Sequence, residues 1–172
     1  MMAADAGAAV LETNNDGPKI PDKKKTKFDV IIIGAGPSGY TAGIYCSRAG
    51  YDTLILSGIL PGGQLVNTTE VENYPGFENG IMGPDLMIDM RKQSQRMGTT
   101  IIDDVAVDVD FRRAPYKVLT GSEEYEARAV IIATGANPRK MGIAGEEEFS
   151  GKGVSYCATC DGPFFRNLEL IV

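Results

Sequence analysis

Two cysteines and an acid carry the most reactive chemistry in this sequence: Cys157-Ala158-Thr159-Cys160, followed at once by Asp161. Two thiols with two residues between them can close a small disulfide ring and cycle between dithiol and disulfide. Half of a zinc site and a pair of inert buried thiols are the competing readings. Zinc needs about four ligands, and the chain offers one further cysteine, Cys46, and no histidine. Thiol–disulfide exchange must deliver a proton to a leaving thiolate, and the adjacent Asp161 is placed to do so. A capping role for Asp161 is the alternative. The lack of histidine removes Ser-His-Asp and Cys-His nucleophiles, His-ligated metals and His acid–base work together.

A second motif is Gly34-Ala35-Gly36-Pro37-Ser38-Gly39. In this pattern, after a strand and before a helix, the backbone can approach a pyrophosphate seated on the helix N-terminus. A tight strand–helix turn without a ligand is the plainer reading. The acid that usually takes the ribose at the end of the second strand is missing, because Ser57 stands there and Asp52 lies too early. Ribose and adenine contacts would then come from residues 57–64. Ala133-Thr134-Gly135 would bring small residues and backbone N–H groups to the same place. A dinucleotide turn makes the CxxC pair more telling, since a cofactor could move electrons to it.

The elements around these motifs follow from pattern. Phe28-Asp29-Val30-Ile31-Ile32-Ile33 suits a strand buried on both faces. Residues 40–49 form the expected helix, closed by Gly50, and Thr53-Leu54-Ile55-Leu56 the next strand, which completes a βαβ unit. Residues 57–82 show neither helix nor strand pattern and read as one long loop. Residues 84–97 form a helix with Leu86, Met87, Met90 and Met97 on its apolar face. Ile101-Ile102 and residues 105–111, 116–119 and 124–128 predict an antiparallel meander, and Ala129-Val130-Ile131-Ile132 a further buried strand. Past Asn137-Pro138 the chain turns charged and glycine-rich, as at a domain boundary. Leu168-Glu169-Leu170-Ile171-Val172 reads as another strand beginning. Cys46, mid-helix, reads as packing.

Composition narrows the class. The 172 residues hold 17 Lys and Arg against 23 Asp and Glu, a net charge of −6, which argues against nucleic acid as partner. No stretch approaches the roughly 18 apolar residues of a membrane span. Three cysteines and no secretory signal point to a reducing cytoplasm. Residues 1–27, with the Lys23-Lys24-Lys25-Thr26-Lys27 run, read as a flexible, solvated tail. Glycine numbers 21, about 12% against a typical ~7%, and serves turns and close backbone contacts.

In this order the motifs resemble the low-molecular-weight thioredoxin reductases of bacterial and archaeal type. The matching stretches are Asp29-Val-Ile-Ile-Ile-Gly-Ala-Gly-Pro-Ser-Gly-Tyr-Thr-Ala, Gly62-Gly-Gln-Leu and Thr68-Thr-Glu-Val-Glu-Asn-Tyr-Pro-Gly-Phe. Ile131-Ile-Ala-Thr-Gly-Ala and Gly153-Val-Ser-Tyr-Cys-Ala-Thr-Cys-Asp-Gly-Pro-Phe-Phe-Arg-Asn continue the match, which covers residues 28–172. The resemblance implies an α/β fold: a Rossmann-like FAD-binding domain at 28–138, with a parallel sheet plus an antiparallel meander. It also implies the start of a pyridine-nucleotide domain at 139–172. Gly34, Gly36, Pro37, Ser38 and Gly39 would face the FAD pyrophosphate. Ser57, Gly58, Gly62, Gly63, Gln64 and Leu65 would hold the ADP part, and Asn73 would lie toward the flavin. Val105 and Ala106 would meet the adenine, and Ala133, Thr134 and Gly135 would close the site.

Electrons would run from NADPH to FAD, to Cys157–Cys160, and on to thioredoxin. The resemblance makes Cys160 the flavin-proximal thiol, Cys157 the one that attacks thioredoxin, and Asp161 the acid–base. It further implies a homodimer whose domains swing about a hinge near residues 137–140. The family's second glycine motif and its NADPH-binding residues are absent from these 172 residues. The chain is therefore expected to be an N-terminal portion with weak FAD retention and no NADPH turnover of its own. A peroxiredoxin reductase, a disulfide oxidase, a reductase with another electron donor, a non-catalytic flavin-binding fragment and a zinc-binding module stand as alternatives.

Overall fold

The apolar run of the first strand needs burial on both faces, and a computed structural model, which describes residues 25–171, provides it. Strand β1 (Lys27–Ile33) lies between β2 (Thr53–Leu56) and β8 (Glu124–Ile132), parallel to both. Val30 and Ile32 point to one face, where Ile55 joins Tyr40 of helix α1 (Pro37–Arg48) and Leu86, Met87 and Met90 of helix α2 (Gly83–Arg96). Phe28 and Ile31 point to the other face, where Leu54 and Leu56 meet Val118, Tyr125 and Ala127. From Val30 to Ile33 this alternation is the two-residue period of a strand, while Phe28, three residues before Ile31, joins that second face from the start of β1. Each fully buried Ile or Leu contributes about 1.5–3 kcal/mol, so the centre of the sheet anchors everything attached to its ends.

The sheet has six strands, ordered β5-β2-β1-β8-β7-β6, with β5 (Thr100–Ile102), β6 (Asp108–Asp110) and β7 (Tyr116–Leu119). Strand β5 runs parallel to β2, so Ile101 and Ile102 belong to the parallel half of the sheet and not to the meander predicted for them. The predicted strands at 124–128 and 129–132 are one nine-residue strand, β8. It pairs antiparallel with β7 through residues 124–127 and parallel with β1 through residues 126–132. Two partners on opposite edges give one strand two patterns, which split it in the sequence. Its second half is also less buried than expected, with Ile132 66% exposed.

Residues 57–82 are not a featureless loop. They contain a 3₁₀ turn at Gly63–Asn67 and an antiparallel ribbon of β3 (Glu70–Val71) and β4 (Ile81–Met82). Two-residue strands are too short for periodicity to reveal. Helix α1 starts at Pro37, three residues earlier than predicted, because Pro suits the first turn and the last glycine of the motif lies inside the helix. Residues 168–171 form no strand, and Val172 and residues 1–24 lie outside the described residues. The tail expectation is corrected at its end: Lys27 opens β1, and Lys25 pairs with Asp52 at 2.6 Å while its ammonium sits 5.0 Å from the Phe28 ring centre. Among the described residues no helix is long and apolar enough to cross a membrane.

Candidate functional site: a dinucleotide cleft and an exposed disulfide

The carboxyl ends of β1, β2 and β8 open into one cleft of about 610 Å³, within the roughly 300–1,000 Å³ usual for ligand sites. It is built by backbones brought too close for side chains. A Cβ on Gly34, at φ +108°, would stand 2.2 Å from the Ala133 carbonyl oxygen, and one on Gly39 would stand 2.0 Å from the Gly34 oxygen. These two glycines let the β1 end, the first turn of α1 and residues 133–134 pack together. Gly36 differs: a Cβ there would meet nothing within 4 Å, so packing does not demand it. Gly36 is also the N-cap of α1. No side chain caps that end, and its first turn holds no acid. The free N–H groups and the positive end of the helix dipole therefore face the cleft, a setting that favours an anion.

Of the sequence-predicted residues, Gly34, Gly36, Pro37, Ser38, Ser57, Gly58, Gly63, Gln64, Leu65, Val105, Ala106, Ala133, Thr134 and Gly135 line this one cleft. Gly39 and Gly62 stand behind it. Gly62 donates its N–H to the Ala35 carbonyl at 2.8 Å and so fastens the 57–64 loop to the glycine turn. Asn73 does not line the cleft; it belongs to a separate shallow concavity formed by residues 72–78. Across the mouth, the Gln64 amide donates to the Asn137 side-chain oxygen at 2.8 Å.

An acid stands beside Ser57, but outside the cleft lining. Ser57, only 3% exposed, donates its N–H to the Ile102 carbonyl at 3.0 Å, which puts it against the end of β5. Asp103 follows that strand, and Arg91 of α2 holds its carboxylate with two bonds of 2.8 and 2.9 Å. Asp103 is kept below the usual carboxylate range, chiefly by the Arg91 guanidinium and also by the Ser57 hydroxyl. Reading along one strand missed this acid, because the sheet brings it from the neighbouring strand. Cys46 packs beside the core as expected, and burial pushes its thiol above the ordinary value.

The second centre lies in the residues after Pro138. Cys157 and Cys160 are joined as a disulfide. Cys157, half-buried, is the N-cap of the short helix α3 (Ala158–Asp161), and Cys160 lies within that helix, exposed at the surface. Asp161 stands at the N-cap of the 3₁₀ turn Gly162–Phe165 but makes no capping bond there. Its carboxylate instead accepts a 2.5 Å hydrogen bond from the Ser155 hydroxyl. The same hydroxyl oxygen accepts the Cys157 N–H at 3.0 Å, so Ser155 links the acid to the first cysteine. The cleft lining ends at Asn137, so the disulfide is not part of the cleft wall.

Three residues near the disulfide escaped the sequence reading: Ser155, Tyr156 and Glu146. Glu146 is 4% exposed, while Glu147 and Glu148 beside it are exposed. Its carboxylate accepts N–H groups from Met141 at 2.8 Å and Gly142 at 2.6 Å and the Tyr156 hydroxyl at 2.9 Å. These donors, led by the Met141 N–H, hold Glu146 below the usual range. A Glu-Glu-Glu run reads as a solvated face. The only available signal was the pair of glycines before it, Gly142 and Gly145, which can fold N–H groups onto a carboxylate.

Comparison with known proteins agrees with this arrangement. The chain is 57% identical over 147 residues to a thioredoxin reductase of Listeria monocytogenes, a match covering 84% of this chain and 45% of that protein. It is 52% identical over 147 residues to the thioredoxin reductase of Bacillus subtilis, covering 84% and 46%. The crystal structure of thioredoxin reductase from Streptococcus pyogenes superposes with a TM-score of 0.75 at 41% identity, over 83% of this chain and 46% of that one. The chain thus spans about half the length of the curated relatives it matches. The same α/β architecture, a mostly parallel sheet, is shared with the nucleotide-binding part of these neighbours. The family model of pyridine nucleotide-disulphide oxidoreductases matches residues 28–172, and the chain belongs to that family.

Proposed function

We propose that this chain carries the flavin-binding and dithiol portions of a thioredoxin-disulfide reductase. The observation that carries the reading is the presence, on one chain, of a dinucleotide-sized cleft and an exposed Cys157–Cys160 disulfide with Asp161 free of capping duty. FAD fits the cleft: Gly36 leaves room for its pyrophosphate and the uncapped N-terminus of α1 offers donors to it. Ser57, Gly58, Gly63, Gln64 and Leu65 would hold the adenosine half, with the backbones of Val105 and Ala106 against the adenine. Ala133, Thr134 and Gly135 would close the opposite side, and Asn73 would approach only toward the flavin end. Bound there, FAD would supply the electron pair that disulfide reduction needs.

The residues' own chemistry is thiol–disulfide exchange. Once reduced, Cys157 as thiolate attacks a disulfide of thioredoxin, forming a mixed disulfide and releasing one thioredoxin thiolate. Cys160 then attacks Cys157, which restores the ring and releases the second thiol. Asp161, held by Ser155, passes protons to the leaving sulfurs. Residues 28–138 are the proposed FAD domain, and residues 139–172 open the pyridine-nucleotide domain. Residues 137–140 would be the hinge by which the ring reaches first the flavin and then thioredoxin. NADPH as donor, a homodimer and a cytoplasmic location complete the proposal.

The test is the whole protein with NADPH, its own thioredoxin and a thioredoxin-linked disulfide assay. Turnover that disappears in Cys157→Ser and in Cys160→Ser supports the reading. A flavin-loaded protein that oxidises NADPH but leaves thioredoxin oxidised would overturn it in favour of a sister disulfide oxidoreductase.

A further inference from the structure

Glu146 sits at the centre of the segment that carries the disulfide. Its Oε1 takes both the Met141 N–H and the Tyr156 hydroxyl; its Oε2 takes the N–H groups of Gly142 at 2.6 Å and Ile143 at 3.4 Å. Tyr156 immediately precedes Cys157. Tyr156 is 40% exposed, and its phenol, protonated at neutral pH, donates to the Glu146 carboxylate. The residue on the other side of Tyr156, Ser155, is tied to Asp161. Both residues leading into Cys157 are therefore fixed by carboxylates, one from ten residues upstream and one from within the ring's own helix.

We propose that Glu146 is a positioning residue for the Cys157–Cys160 pair, acting through the Tyr156 hydroxyl to fix the backbone that presents Cys157. This deepens the reading of the pair as an exchange centre and rests on it. Opening the ring lets Cys157 move away from Cys160, and the two thiols must return to each other to close it. A backbone held at Tyr156 restricts that departure and so favours the closed form. Without the tether the reduced chain gains conformational freedom, and the equilibrium moves toward the dithiol. Glu148, exposed in the same acidic run, lies off this route: it makes no hydrogen bond or ion pair with Glu146, Tyr156 or the ring.

The experiment uses the full 172-residue chain equilibrated with graded ratios of reduced and oxidised dithiothreitol. Reduction breaks the Cys157–Cys160 bond, places one electron and one proton on each sulfur, and converts dithiothreitol to its cyclic disulfide. Thiol content is read by alkylation and mass. Tyr156→Phe keeps the ring, the Glu146 charge and the backbone bonds, and is expected to shift the equilibrium about threefold or more toward dithiol, the scale of one hydrogen bond. Glu146→Gln is expected to shift it in the same direction, and Glu148→Gln, which removes a neighbouring charge off the route, to leave it at the wild-type value. A Tyr156→Phe equilibrium equal to wild type, in a chain whose circular dichroism is unchanged, overturns the proposal. So does a Glu148→Gln shift as large as that of Tyr156→Phe. A wild-type pair that stays oxidised at every ratio overturns the exchange-centre reading itself, a result distinct from the other two.

Discussion

Behind the cleft, added side chains have nowhere to go: a Cβ on Gly34, Gly39 or Gly62 would come within 2.2, 2.0 or 2.4 Å of a neighbour, while those of Gly36, Gly58 and Gly135 would open into the cleft itself. Around the disulfide the glycines stand in the open, and a Cβ on Gly142, Gly151, Gly153 or Gly162 would meet nothing within 4 Å. The cleft is shaped by steric packing on a buried parallel sheet. The ring is held by polar groups, Ser155 and Asp161 on one side and Glu146 and Tyr156 on the other. Packed backbones give a fixed shape suited to binding a rigid dinucleotide portion. Hydrogen-bonded tethers can be released and remade, which suits the opening and closing of the ring in the proposed exchange. The two regions should therefore fail in different ways when perturbed.

The largest effect is expected where packing is tightest. Gly39→Ala forces a methyl into the Gly34 carbonyl and should destabilise the fold by about 3 kcal/mol or more, seen as a large loss in thermal midpoint. Its neighbour Gly36→Ala should leave the midpoint unchanged, because its Cβ meets only open cleft. It should instead weaken FAD binding about tenfold or more, measured by flavin fluorescence, since the methyl would crowd the pyrophosphate. Equal stability losses for the two variants would break the distinction between a glycine kept for packing and one kept for a ligand.

Next in size is the disulfide. On the proposed mechanism, Cys160→Ser should leave the mixed disulfide on Cys157 unresolved and so abolish turnover with thioredoxin, while changing the thermal midpoint of the cleft-bearing sheet very little. The ring closes over only the segment 157–160, and short loops contribute little through chain entropy. A large fall in the midpoint of the sheet would mean that the cleft and the ring are mechanically one.

What the sequence made legible follows the same division. The βαβ unit was readable because Val30, Ile31 and Ile32 are buried on both faces and the glycine turn sits directly at the strand end. The CxxC centre was readable because its spacing is itself the chemistry. Strand β8 was misread as two, since its Tyr125 and Ala127 face a core that Ala129 and Ile132 do not share. The acid beside Ser57 was missed because Asp103 arrives from β5, a relation of neighbours in space. Glu146 was hidden because burial of one acid in a run of three depends on a loop fold that periodicity does not encode.

A moderate effect is expected from Asp103→Asn. The Arg91–Asp103 pair is partly exposed, 28% and 55%, so its contribution is about 0.5–1 kcal/mol after solvent screening. Asp103 has a lowered carboxyl pKa in the folded state. Its stabilisation is therefore complete above the unfolded-state value and declines as pH falls through the folded one. Denaturant midpoints of wild type should fall as pH drops below about 4, and part of that fall should vanish in Asp103→Asn. An unchanged acid slope would remove Asp103 from the cleft's supporting frame.

The smallest effect should come from Asp110. Its carboxyl is driven far below the usual range, first by the side-chain hydrogen bond from Arg112 and then by the Arg112 backbone N–H. A shift of that size invites the expectation of strong stabilisation, but the geometry argues otherwise. The Arg112 side chain is 88% exposed, and the two residues are neighbours in the same turn, so they meet in the unfolded chain nearly as often as in the folded one. Water screens the pair, and the side-chain entropy lost in holding it offsets the remaining attraction. Arg112→Ala should return the Asp110 titration, followed by carboxyl NMR shifts, toward its ordinary value while leaving the thermal midpoint at that of wild type. If the midpoint fell by several degrees, the edge of the meander would depend on exposed polar tethers in the way the disulfide segment does. The contrast would then lie between the buried sheet and everything outside it, and not between the cleft and the ring.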